Sequence, residues 1–121
     1  MKFIFYFLSF LCMTAPAFAN DYSRVIEDLP LMTGMAEIAD AAVQFDTIGG
    51  RVMETAAEVQ SGQKQVYSFY ANTLPQLGWT RIAGGYMAYQ RAGEMLTIEA
   101  VPGSAPGKTR VQFRLGPNSN K

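Results

Sequence analysis

Between residues 62 and 115 the apolar side chains change period once, from about 3.6 to 2, and that switch dictates one helix followed by strands. Val66, Phe69, Tyr70, Thr73, Leu74 and Leu77 recur on one face, while Gln63, Lys64, Ser68, Asn72 and Gln76 lie off it. This spacing predicts an amphipathic helix over 62–77. Ser61 is the expected N-cap and Gly78 the left-handed stop, and Pro75 forfeits one backbone hydrogen bond and should kink or loosen the last turn. Further on, Val111, Phe113 and Leu115 alternate with Arg110, Gln112 and Arg114, and Leu96, Ile98 and Ala100 alternate with Thr97 and Glu99. Both patterns predict half-buried strands, joined as a hairpin through the turn-forming residues 102–107. Residues 86–91 read as another strand, linked forward by Ala92-Gly93 and back by Gly84-Gly85 to a strand around 79–82, which completes a four-stranded meander.

Upstream, residues 43–48 and 51–59 flank Gly49-Gly50, a glycine pair suited to the positive dihedrals of a tight hairpin. Residues 20–40 show neither period, although Pro30 forces extension at Leu29. The expected fold is therefore a two-layer α+β domain, one amphipathic helix packed on an antiparallel sheet, in the order β-β-α-β-β-β-β. Its expected division is a leader over 1–19, a partly extended N-terminal segment over 20–41, the α+β domain over 42–116 and a flexible tail over 117–121.

The leader shapes the rest. Lys2 gives a short basic start, residues 3–13 are apolar apart from one serine, and Ala17-Phe18-Ala19 is a small-x-small cleavage site. Cleavage between Ala19 and Asn20 would deliver a periplasmic or secreted protein without stable membrane insertion, since the apolar run is shorter than the roughly 20 residues that span a bilayer. Leu11 and Phe10 occupy the places before Cys12 where lipid attachment needs small residues. The cut would also remove Cys12, the one cysteine of a chain that has no histidine. The domain then rests on apolar packing without disulfides and lacks the usual nucleophile and base.

Charges balance overall but not along the chain. From Asn20 to Gln60 the acids Asp21, Glu27, Asp28, Glu37, Asp40, Asp46, Glu54 and Glu58 face only Arg24 and Arg51, and beyond it Lys64, Arg81, Arg91, Lys108, Arg110, Arg114 and Lys121 face only Glu94 and Glu99. No Lys/Arg cluster stands alone, so the expectation is acidic and basic strands side by side in one sheet, not a nucleic-acid surface.

The residues Val66-x-x-Phe69-Tyr70-x-x-x-Leu74-x-x-Leu77-Gly78-Trp79, with Tyr89-x-Arg91-x-Gly93-Glu94-x-Leu96-x-Ile98, form a pattern that resembles small uncharacterised exported proteins of Gram-negative bacteria. Phe45-Asp46-x-x-x-Gly50-Arg51 and Asp28-Leu29-Pro30-Leu31-Met32 fit the same type. The resemblance spans most of the chain after the leader and implies a single α+β fold and an envelope location; it carries no catalytic residue.

Chemistry-bearing constellations are sparse. Ser23, Ser61, Ser68, Ser104 and Ser119 sit in turn, cap or helix-surface contexts, and no Gly-x-Ser-x-Gly elbow occurs. Glu54 and Glu58 share one strand face about 13 Å apart, too far for either glycosidase geometry. Glu37 and Asp40 would meet only on a helix. Met32-x-x-Met35 offers two thioethers, a poor Cu(I) site without histidine or cysteine and ordinary core filling otherwise. Gly49-Gly50-Arg51 and Gly84-Gly85 lack the following helix that a phosphate cradle needs.

The aromatic set Trp79, Tyr86, Tyr89, Tyr67 and Tyr70 is the leading candidate for a binding surface. Alternation puts Tyr86 and Tyr89 on opposite strand faces, so one of them points away from the helix side unless all the rings pack in the core or under loops. Tyr86, Tyr89, Arg91 and Arg81 are the candidate binding residues, suited to a peptide, glycan or lipid headgroup. The expected function is a noncatalytic envelope protein that binds another envelope protein, with no metal or cofactor. The alternatives are a carrier of a small apolar ligand between helix and sheet, or a hydrolase or transferase that uses carboxylates alone.

Overall fold

The computed structural model describes residues 22–82 and 87–118. The leader, Cys12, the cleavage site, the Gly84-Gly85 turn, Tyr86 and Ser119 lie outside the described residues. Among the described residues seven antiparallel strands form one sheet: β1 (Ala36–Glu37), β2 (Val43–Thr47), β3 (Gly50–Val59), β4 (Thr80–Arg81), β5 (Met87–Arg91), β6 (Glu94–Pro102) and β7 (Thr109–Pro117). The strands lie in the order β1-β3-β7-β6-β5-β4, and β2 also pairs with β3. One helix, α1 (Gln63–Thr73), follows β3. The α+β class and the antiparallel sheet are as expected, but the order gains a strand, because β1 precedes the predicted hairpin. β1 and β2 behave as one broken edge strand: both pair with β3 on the same side, separated by the 3-10 turn Ala39–Ala41.

The helix begins at Gly62, whose side chain cannot cap, rather than at Ser61. The Ser61 carbonyl instead accepts the Thr109 hydroxyl, which ties the helix start to β7. At the other end the α-helix stops at Thr73, and Leu74–Leu77 continue as a 3-10 turn, the tighter winding that follows where Pro75 offers no N–H. Gly78 closes it at φ +90°, with its N–H on the carbonyls of Leu74 and Pro75.

Alternation sends Thr55, Ala57 and Val59 of β3, Val111, Phe113 and Leu115 of β7, and Leu96, Ile98 and Ala100 of β6 to one sheet face, where they meet Val66, Tyr70, Leu74 and Trp79. Each large apolar side chain sealed there contributes about 1.5–3 kcal/mol. The N-terminal segment packs on this same face. Ile26, Leu29, Leu31 and Met35 are buried in the core, and the Tyr70 hydroxyl donates to the Pro30 carbonyl at 2.9 Å. The segment is therefore part of the domain and not a prelude to it. At the far end β7 runs to Pro117, and Asn118 donates its N–H to the Gly93 carbonyl at 2.9 Å and its side-chain amide to Gln90 at 2.8 Å, so the ordered chain continues past 116.

One rim of the sheet is closed by the helix. Among the described residues β5 pairs with β6 from Met87 opposite Ile98 onward, which leaves a gap on the β5 side of Ala100, whose other side pairs with Val111 of β7. Gln63 and Tyr67, one helical turn apart, fill the gap: the Gln63 amide donates to the Ala100 carbonyl at 3.0 Å, and the Ala100 N–H donates to the Tyr67 hydroxyl at 3.0 Å.

Candidate binding faces

The described members of the predicted tyrosine and arginine set, Tyr89, Arg91 and Arg81, do not form one surface. Tyr89 is fully buried in the core under the helix, and burial pushes its phenol above the ordinary value. The reason lies in the turn: Ala92 and Gly93, at φ +50° and +81°, make a two-residue hairpin that pairs Tyr89 with Leu96 and so fixes it to the face of Leu96, Ile98 and Ala100. Arg91 follows two residues on, to the same side. Its guanidinium lies 4.5 Å from the Trp79 ring centroid, donates to the Leu77 carbonyl at 3.0 Å and reaches Asp28 at 3.6 Å. It clamps the N-terminal segment, the end of the helix and β5 together, and is spent on structure. Arg81 is exposed opposite Tyr89 and lines a shallow groove of about 600 Å³ with Gln63, Lys64, Tyr67 and Met87.

The larger concavity, about 720 Å³, lies on the opposite sheet face. Val52, Glu54 and Ala56 of β3, Gln112 and Arg114 of β7, and Thr97 of β6 line it. Its charge pattern is the one expected from the lopsided sequence, with Glu54 opposite Arg114 and Glu58 opposite Arg110. Glu54 and Arg114 approach to 3.6 Å with both side chains well exposed, so the pair contributes at most about 1 kcal/mol and either charge can turn to a partner.

Glu58 is held differently. Its carboxylate accepts the Ser104 hydroxyl at 2.9 Å and the Ser104 N–H at 3.0 Å, and these bonds, aided by Lys108 and Arg110, hold the carboxyl below its usual 4.5. A depressed folded value means that the contribution to stability is present above pH about 4.5 and is lost as the pH falls through the folded value. Ser104→Ala is expected to move the Glu58 titration up towards the ordinary carboxylate range, read by carboxyl carbon NMR; an unmoved midpoint would refute the assignment.

The β2 to β3 hairpin is as the sequence predicts, but the exposure of its outer strand is not. All five residues of β2 are exposed; Val43 and Phe45 keep 46% and 41% of their surface in water, and Ile48 at the tip is fully exposed. The turn uses Ile48-Gly49, with Gly50 at φ +139° as the first residue of β3. Alternating apolar residues in 43–48 signalled a strand, and nothing in the pattern said that no second layer would cover them.

Met35 is core, its sulfur 3.5 Å from the Tyr70 hydroxyl, and Met32 is partly buried against the same cluster. Among the described residues no three His, Cys, Asp or Glu side chains gather where a metal could sit, and no helix is long and apolar enough to cross a membrane. Comparison with protein-family models, curated proteins and solved structures finds no match to this chain.

Proposed function

We propose that this chain is a noncatalytic exported protein of the cell envelope whose open sheet face binds another envelope protein. The observation that carries the reading is the placement of α1 and of Ile26, Leu29, Leu31 and Met35 on one side of the sheet, with the side of Glu54, Thr97, Gln112 and Arg114 left uncovered among the described residues. A surface that mixes acids, bases, amides and small apolar residues suits a non-obligate protein interface, which is about as polar as ordinary protein surface. Two of the carboxylates are held by hydroxyl groups, Glu58 by Ser104 and Glu37 by Ser23 and Thr55, and Glu54 is free to turn to a partner, which favours binding over acid and base chemistry. Tyr70, Phe113, Leu96 and Ile98 fill the space between helix and sheet, which weighs against a carried apolar ligand there. Export rests on the leader and its small-x-small site, and on the resemblance to exported proteins of Gram-negative bacteria.

A photo-crosslinking residue at Thr97, on the open face, is expected to give a discrete adduct with one envelope protein in intact cells. The same residue at Ser68, on the exposed side of α1, should give none. No adduct at Thr97, or the same adducts at both positions, would sink the reading. Amino-terminal sequencing of the exported product should begin at Asn20.

A further inference from the structure

A bare strand edge is a template for another strand, and proteins usually blunt one with proline, lysine, a bulge or a covering element. The outer edge of β2, Val-Gln-Phe-Asp-Thr over Val43–Thr47, carries none of these among the described residues, has Asp46 as its one charge, and is exposed throughout. The direction of its backbone groups follows from β3. The Ile38 N–H donates to the Ala56 carbonyl at 2.7 Å, so Ala56 and, by alternation, Glu54 and Val52 turn their backbone groups towards β1 and β2. Their partners Val43 and Phe45 are thus bonded to β3, which leaves the N–H and C=O of Gln44 and Asp46 pointing outward.

Two outward residues spaced two apart match themselves across a two-fold axis. Gln44 of one copy meets Asp46 of the other, each such pair exchanges two N–H···O bonds, and Phe45 sits on the axis facing Phe45 of the second copy. The side chains agree with this register. An amide faces a carboxylate and no like charges are opposed; Asp46 already has Arg51 at 3.7 Å, and Val43 falls opposite Thr47. The two Phe45 rings form a non-hydrogen-bonded pair, the closer of the two antiparallel spacings.

We propose that two copies of this chain pair through the outer edges of β2, antiparallel and in register about Phe45, to form one sheet of twice the width. Val43 and Phe45 share the face of Val52 and Glu54, so pairing joins the two open faces into one surface. This goes beyond the partner reading above, because the open face can bind a protein whether or not the chain pairs with itself. The edge is short, and the contact falls below the roughly 1,200 Å² of stable complexes, so the dimer is expected to be a weak, transient one.

The test uses the whole coding chain with Cys12→Ser. Sedimentation velocity should show a concentration-dependent shift from monomer to dimer. Adding Gln44→Pro removes an outward N–H from each copy while leaving the β2 to β3 bonds, which use Val43, Phe45 and Thr47, in place; dimer affinity should fall about tenfold or more. Phe45→Cys, the lone thiol in that background, should be oxidised readily by dissolved oxygen to a disulfide dimer, because the paired Cα atoms would lie about 4.5 Å apart. Ser104→Cys, far from the edge, should not. A monomer at every concentration up to about 1 mM, well beyond the range expected for a contact of this size, would overturn the proposal. So would undiminished dimerisation of a folded Gln44→Pro variant, or equal crosslinking from Phe45→Cys and Ser104→Cys. If Gln44→Pro does not fold, the cysteine pair decides.

Discussion

Tyr70→Ala is expected to remove about 3–5 kcal/mol, the usual loss when a large aromatic is deleted from a packed interior. Domains of this kind are stable by only about 5–15 kcal/mol, so the variant should be largely or partly unfolded. Tyr70 has no exposed surface and joins all three packed parts of the molecule. Its ring meets Phe113 of the sheet edge-on at 5.4 Å and Phe69 at 4.9 Å, while its hydroxyl donates to Pro30 in the N-terminal segment at 2.9 Å. Burial and the nearby Glu37 push the phenol upward, so it stays a donor at neutral pH. Tyr70→Phe separates the two contributions: the ring contacts remain, the buried Pro30 carbonyl loses its donor, and the loss should be about 1–3 kcal/mol. Urea unfolding of both variants checks the values. A Tyr70→Phe midpoint equal to that of the parent would show that the hydroxyl does not hold the segment down.

Glu37→Ala should cost about 2–3 kcal/mol, because it strips a partly buried carboxylate from donors assembled around it. The Ser23 hydroxyl, the Thr55 hydroxyl at 3.0 Å and the Arg24 N–H at 2.9 Å all donate to Glu37. Ser23 in turn accepts the N–H groups of Val25 and Ile26, each at 3.0 Å, so the carboxylate orients the oxygen that shapes the first turn of the segment. Glu37→Gln should recover only part of the loss, because its amide nitrogen must face a donor. Thermal unfolding gives the total. Amide hydrogen exchange gives the location, with protection lost at Val25 and Ile26 well before the β6 and β7 ladder opens; uniform loss across the sheet would contradict this division.

The parts of the fold with a clean period were legible. Strict alternation around Val111 and Leu96, with turn residues between, located β6 and β7, and the 3.6-residue spacing located α1. The N-terminal segment was not legible, because it turns too often to carry a period: Asp28 and Gly34 sit at φ +62° and +81°, and the buried Ile26, Leu29, Leu31 and Met35 fall at irregular intervals around them. The burial of Tyr89 and the engagement of Arg91 were not anticipated for a different reason. Tyr89 and Arg91 were judged by type, polar-tipped and basic, whereas the pairing set by Ala92-Gly93 ties them to Leu96 and Glu94 and hence to the covered face. That pairing was present in the sequence. The bareness of Phe45 was not, since it depends on where the helix and the N-terminal segment settle.

The hydrogen bonds from Gln63 and to Tyr67 at Ala100 have a consequence for how such molecules can accumulate. A sheet with two sticky sides can recruit neighbours without limit and grow into a filament. Here the far side is plugged by a helix along its overhang and carries a strand of only two residues, Thr80–Arg81, beyond it. Among the described residues a bare edge is thereby left on a single flank, and a chain that joined another by that flank would have no second bare edge there with which to join a third.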